Sequence, residues 1–186
     1  MKKSVISASL FTILSAATLS AQAASTGTIT FNGELTDTTC EVDVNGQGSD
    51  ATVVLPTVGV NQLTASGKTT GRTAFNMNIS NCVIGEKGEH SKVSTFFQAG
   101  NTVDLSTGRL KNMGGSATNV DLRLLDASNN FAPINVGNTD QVNNTTYVDI
   151  KDDKTAFLPY AVEYYANGQT TPGTVTSSVV YNLQYK

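Results

Sequence analysis

Residues 21–40 read AQAASTGTITFNGELTDTTC. Two kinds of sequence meet in this stretch. Ala21-Gln22-Ala23 has the small-x-small pattern of a signal-peptidase site. Beyond it, Ile29, Phe31 and Leu35 alternate with polar residues, with Gly33 in the same phase. Threonines, Asn32 and Glu34 occupy the other face. A period of two is the pattern of a half-buried strand. No obvious partner strand lies nearby in sequence, and an unpaired strand edge invites aggregation. The stretch therefore poses the question of what this strand pairs with.

The residues before it answer to export. Lys2 and Lys3 form a positive start, and VISASLFTILSAATLS is an apolar run, short and rich in Ser and Thr for a membrane span. Residues 1–23 read as a signal peptide, leaving 163 residues, one domain's worth. Without the two leader lysines, ten basic residues face fifteen acidic ones, a net charge of −5. No basic stripe suits nucleic acid and no polybasic patch suits anionic lipid. Charged residues make up 15% of the chain, so Thr, Ser, Asn and Gly must form much of the surface.

The two cysteines, Cys40 and Cys82, read as a disulfide in an exported chain, since two cysteines allow one pairing. No CxxC is present, and His90 in GEKGEH reads as a solvated loop residue with no metal role. DVNGQGSD from Asp43 has some calcium-loop character but lacks a closing Glu, so it reads as a hairpin loop. The chain contains no GxSxG, HExxH or P-loop, and no cofactor motif. Asp152-Asp153-Lys154 reads as a charged turn. The glycosylation-type triplets at Asn78 and Asn143–Thr146 are too short to carry a role.

Past the leader, short β-rich runs alternate with Gly, Asn, Asp and Ser clusters. TITFNGEL and TCEVDV come first. ATVVLPTV is read as a strand whose Pro56 places it at an edge or bulge, and LTASGKTTGRT as loop. AFNMNISNC alternates Phe75, Met77 and Ile79, and KVSTFFQAG follows. LSTGRLKNMGGSAT is read as a polar stretch. NVDLRLLDASNN turns Val120, Leu122 and Leu124 inward. FAPINVG and TYVDI are short strands, TAFLPYAVEYYANG is longer, and TVTSSVVYNLQYK ends the chain. Eight or nine strands at this spacing imply an all-β sandwich or barrel. A Trp-bearing immunoglobulin signature is excluded because the chain has no Trp. In the last run Val179, Tyr181, Leu183 and Tyr185 share a face. Tyr185 is penultimate, and Gly173 is fourteenth from the end.

Taken together, GTITFNGELTDTTC, LPTV before a loop, FNMNISNC, GSATNVDLRLLD, and LPYAVEYYANGQTTPG before a last strand ending in QYK resemble the major structural pilins of chaperone–usher fimbriae, the type 1-like subunits. The resemblance implies an incomplete Ig-like β-sandwich, the pilin fold, lacking its final strand. It implies an N-terminal extension over residues 24–36 and a pilin domain over 37–186. Ile29, Phe31, Gly33 and Leu35 would form a donor strand. Gly173, Val179, Tyr181, Leu183 and Tyr185 would serve the acceptor and chaperone side. The implied partners are identical or related pilin subunits joined head to tail, a periplasmic chaperone and an outer-membrane usher, with no nucleic acid. The location is the periplasm and then a surface fimbria supporting adhesion. A minor adaptor pilin stays open as an alternative. A lectin-like tip adhesin needs a further receptor domain, for which 163 residues leave no room. A secreted enzyme lacks a catalytic set, and a self-completed soluble monomer is a separate structural alternative.

Overall fold

The computed structural model describes residues 27–85 and 90–186, so the signal-peptide reading lies outside the described residues. The chain divides into two compact units, Met1–Glu34 and Leu35–Lys186. Of the first, residues 27–34 are described, and they form no strand. No described helix is long and apolar enough to cross a membrane.

The second unit is all-β. Its elements run β1 (Thr39–Val44), β2 (Thr69–Val83), β3 (Lys92–Phe97), β4 (Val103–Asp104), β5 (Arg109–Lys111), β6 (Val120–Asp126), β7 (Ala132–Pro133), a short helix α1 (Gln141–Asn144), β8 (Val148–Asp149), β9 (Ala156–Ala166) and β10 (Tyr181–Tyr185). The larger sheet has the order β1-β2-β9-β6-β5-β4, with β7 paired to the end of β6. The smaller sheet has the order β10-β3-β8. Every pairing is antiparallel.

The alternation read from the sequence sets the core. Phe75, Met77 and Ile79 on β2 point inward, as do Val120, Leu122 and Leu124 on β6 and Leu158, Tyr160 and Val162 on β9. β3 supplies Val93 and Phe97 from the opposite sheet. Phe97 meets Phe75 and Tyr160 edge-on at centroid distances of 6.5 and 5.2 Å, so one aromatic cluster joins the two sheets. Such edge-to-face pairs add about 0.5–1.5 kcal/mol beyond burial. The Tyr160 hydroxyl accepts from the Thr95 amide at 3.3 Å, which satisfies its polar tip inside the core. The result is an incomplete Ig-like sandwich of the pilin type.

Several segments differ from their reading in sequence. TITFNGEL, read as the first strand, forms none over residues 28–35, and of TVTSSVVYNLQYK only Tyr181–Tyr185 is strand. ATVVLPTV is not a strand. Residues 51–59 have no strand pairing, although Val53 and Leu55 still pack on the core. Pro56 has no amide to give a ladder, and its carbonyl accepts the Tyr164 hydroxyl at 3.2 Å instead. TTGRT is not loop but the start of β2, where the register shifts between Thr70 and Thr73. Gly71 sits in that bulge at φ +69°, with the Tyr164 ring where a side chain would project. The polar stretch after residue 104 contains β5, whose three residues are too few for an alternation to show.

Candidate strand-accepting groove

Among the described residues β1 bonds only to β2, and β10 bonds only to β3. Each is therefore the end strand of its own sheet. The two line a single open cleft of about 720 Å³. Thr39, Cys40 and Val42 form one wall, and Val179, Tyr181, Leu183 and Tyr185 form the other. Cys40, Val42, Val179, Tyr181, Leu183 and Tyr185 are partly buried and pack directly against the hydrophobic core.

The β1 wall is built by a disulfide and a bulge. Cys40 and Cys82 are bonded, joining the two neighbouring strands. The register slips by one residue there, between Thr39 and Glu41, and Asn81 takes the extra position at φ +50°. Asn tolerates that backbone region, and its side-chain amide donates to Glu41 at 2.7 Å. The turn after β1 is tied by Asp43, whose carboxylate accepts from the Gly46 and Gly48 amides at 2.9 and 2.7 Å. The Gly48 amide leads in holding the Asp43 pKa below its ordinary value. Both oxygens thus serve the hairpin. Among the described residues no group of three His, Cys, Asp or Glu could hold a metal ion.

The β10 wall is registered on β3 from Tyr181 opposite Phe97 to Tyr185 opposite Val93. Tyr181, Leu183 and Tyr185 are half-buried. The Tyr181 hydroxyl crosses to the Ser49 carbonyl at 2.7 Å, and that of Tyr185 interacts with the Cys40 amide. Burial raises both tyrosine pKa values. The charge of Asp50 adds to the rise for Tyr181, and the Cys40 amide opposes it for Tyr185.

Gly173 lies outside this cleft, eight residues before β10 begins. A β-carbon there would run into the backbone of Ser116 and Ala117, and one at Gly115 would run into the Thr174 carbonyl. The two glycines let residues 173–176 pass close to residues 112–118, where the amides of Met113 and Ala117 donate to the Thr176 and Thr174 carbonyls. Val179 precedes β10 but lines the cleft. Ile29, Phe31 and Leu35 are 78%, 88% and 99% exposed, and a β-carbon at Gly33 would meet nothing within 4 Å. Cys40 was singled out from sequence for its disulfide, but the rest of the β1 wall was not. Its signal was the alternation of Cys40, Val42 and Val44 in TCEVDV, which marks an inward face without showing that its outer edge is bare.

The model of the type-1 fimbrial protein A family matches residues 55–186. The chain is 44% identical over 176 residues to the major fimbrial subunit SMF-1 of Stenotrophomonas maltophilia, covering 93% of this chain and 99% of that one. It is 38% identical over 175 residues to the F17 fimbrial protein of Escherichia coli, covering 94% and 95%. In fold it resembles the P pilus rod subunit PapA, with a TM-score of 0.57 and 17% identity over 78% of this chain and 99% of that one. The chain therefore belongs to the type-1 fimbrial proteins and is a structural subunit, exported and built into a surface fimbria, with no enzymatic role.

Proposed function

We propose that residues 24–36 are a donor extension on the domain formed by 37–186, and that the β1/β10 cleft accepts the same extension of the next subunit. The observation that carries this reading is the cleft itself, where two strands with no second partner among the described residues flank apolar side chains left half-buried against the core. A single strand laid between them would pair both edges and cover those side chains. Five residues of β10 span about 17 Å, and the seven residues from Ile29 to Leu35 span about 24 Å, enough to run the length of the wall. Burial of Ile29, Phe31 and Leu35 in the cleft contributes roughly 2 kcal/mol each. Strand addition of this kind is a recognised mode, for which chaperone–pilin complementation is a standing example. Each subunit then gives one strand and takes one, a head-to-tail contact that never closes and so grows a filament.

The same cleft explains the need for assembly partners. A subunit with this cleft uncovered is a poor monomer, so a periplasmic chaperone covers the cleft until an outer-membrane usher brings the next extension. The test is an exchange reaction. Chaperone-bound subunit is mixed with a peptide spanning residues 25–37, and release of chaperone is followed by gel filtration. The expected result is displacement by this peptide and none by its scrambled counterpart. A purified, chaperone-free subunit that stays a stable monomer would overturn the proposal in favour of self-completion.

A further inference from the structure

The outer face of the larger sheet carries a second feature, independent of the groove. All three arginines of the chain, Arg72, Arg109 and Arg123, lie on it although the chain is acidic as a whole. Glu163 on β9 takes Arg72 and Arg123, and Asp121 on β6 takes Arg109 at 3.2 Å. The two carboxylates are the buried partners, with side chains 2% and 10% exposed. Between the guanidiniums stands the Tyr165 ring, with Arg109 at 4.1 Å and Arg123 at 5.2 Å from its centroid.

A cleft of about 300 Å³ opens over this group, and Ser106, Thr107, Arg109, Arg123, Asn135 and Tyr165 line it. Among the described residues no carboxylate is in the lining. Its wall is fixed by Gly108 at φ +66°, where a side chain would strike the Asn135 backbone, and by the Val136 amide donating to the Gly108 carbonyl at 3.2 Å. Arg109 spends Nε on Asp121 and Nη2 on Asn167. Arg123 spends Nε and Nη2 on Glu163. Their Nη1 groups enter none of these bonds. Ser106 and Thr107 donate their hydroxyls to Asp104, which leaves their oxygens able to accept.

We propose that this cleft binds the carboxylate of an acidic sugar. Arg109 and Arg123 both line the cleft and each keeps Nη1 outside its ion pair, while the nearby Asp104 carboxylate is taken up by the Ser106 and Thr107 hydroxyls, so two guanidinium edges are left for one carboxylate. Arginines already held by buried partners lose little freedom on binding, which is where preorganisation favours affinity. Guanidinium donors suit a planar carboxylate, and the neutral oxygens of Ser106, Thr107 and Asn135 suit sugar hydroxyls. The volume is at the small end of ligand pockets, the scale of one sugar ring. On a filament the site would recur once per subunit, so weak single contacts would add through multivalency.

The test uses purified fimbriae titrated at low salt with glucuronic acid, glucose and sulfate, read by saturation-transfer NMR. Glucuronic acid is expected to bind, glucose not to bind, and sulfate to bind more weakly. Arg109→Gln should weaken glucuronic acid by about tenfold or more, as expected for losing charge-assisted hydrogen bonds. Arg72→Gln, which touches the same Glu163 from outside the cleft, should leave binding intact. Should Arg109→Gln fail to assemble, Ser106→Glu on the exposed turn should block binding by repulsion. Absence of glucuronic acid binding, equal binding of glucose or sulfate, or equal loss in the Arg72 and Arg109 variants would each overturn the proposal.

Discussion

Residues 29–35 and β10 carry the same kind of pattern and meet different ends. Each alternates large apolar residues with polar ones. β10 finds its partner within the chain: five of its residues register on β3, and its tyrosines and Leu183 are half-buried against the core. The segment with Ile29, Phe31 and Leu35 forms no strand, and those side chains stand largely in solvent. Alternation therefore announces that one face will be covered, and says nothing of which molecule will cover it.

The strongest way to break this comparison is to remove each segment in turn. Deleting residues 183–186 strips β10 of most of its pairing and leaves Val93, Ser94 and Thr95 without their partners. No subunit should accumulate in the periplasm, and none should co-purify with the chaperone. Deleting residues 27–35 takes away no strand of the sandwich. That subunit should fold, bind chaperone at ordinary yield, and accept a donor peptide, yet fail to extend a fibre. Immunoblots of periplasm and electron microscopy of cells read both outcomes. If the two deletions behave alike, the two segments do not differ in the way proposed.

Much of the architecture was legible because burial leaves a period. Phe75, Met77 and Ile79, or Val120, Leu122 and Leu124, could be placed inward from their spacing alone. The disulfide followed from two cysteines in an exported chain. What stayed hidden lacks periodicity. The bulge at Gly71 opens β2 with no alternation, and residues 51–59 have strand-like composition but a proline where a ladder amide would be. The arginine face was invisible for a different reason. Arg72, Arg109 and Arg123 lie far apart in sequence and meet only because β2, β9, β6 and β5 are neighbours in the sheet.

The next effect down concerns the fixed wall of the groove. The Cys40–Cys82 bond closes a loop with a sequence separation of 42. In the chain-entropy account this is worth about 4 kcal/mol. Replacing both cysteines with serine should lower the urea midpoint of the peptide-complemented subunit by a corresponding amount. An unchanged midpoint would mean that β1 is held by its ladder with β2 alone.

Two glycines sharpen the contrast between folding and assembly. Gly173→Ala forces a β-carbon onto the Ser116–Ala117 backbone, so it should cost roughly 1–3 kcal/mol in subunit stability, read as a lower urea midpoint. Gly33 has open space around it in the lone subunit, so Gly33→Leu should fold, oxidise and bind chaperone normally. In the donor reading proposed above, its phase with Ile29, Phe31 and Leu35 would point it at the neighbour's groove, where overpacking by a similar amount would act on one step only. A residue 25–37 peptide carrying Gly33→Leu should displace chaperone about tenfold or more slowly than the unaltered peptide. Equal rates would show that this face is not the one that enters the groove.

The smallest effect tests how the two walls are tied. Tyr181→Phe keeps the ring in the cleft and removes the hydrogen bond to the Ser49 carbonyl. A bond of this kind contributes about 0.5–1.5 kcal/mol net. The variant should therefore fold and polymerise, with a slightly lower urea midpoint at neutral pH. Its alkaline behaviour carries the sharper signature. Burial, helped by the charge of Asp50, raises the Tyr181 pKa above that of a free phenol, near 10. The native state thus holds the phenolic proton more tightly than the unfolded chain does. The stabilisation this gives is fully present below about pH 10 and is lost as pH rises through the native value. Tyr185 and the core Tyr160 shift in the same direction for the same leading cause, so wild-type subunit should lose stability through this range. Tyr181→Phe removes one of these protons and should make the loss shallower. If the variant's midpoint falls as steeply with alkaline pH as that of the wild type, the Tyr181 hydroxyl is not a tie between the walls.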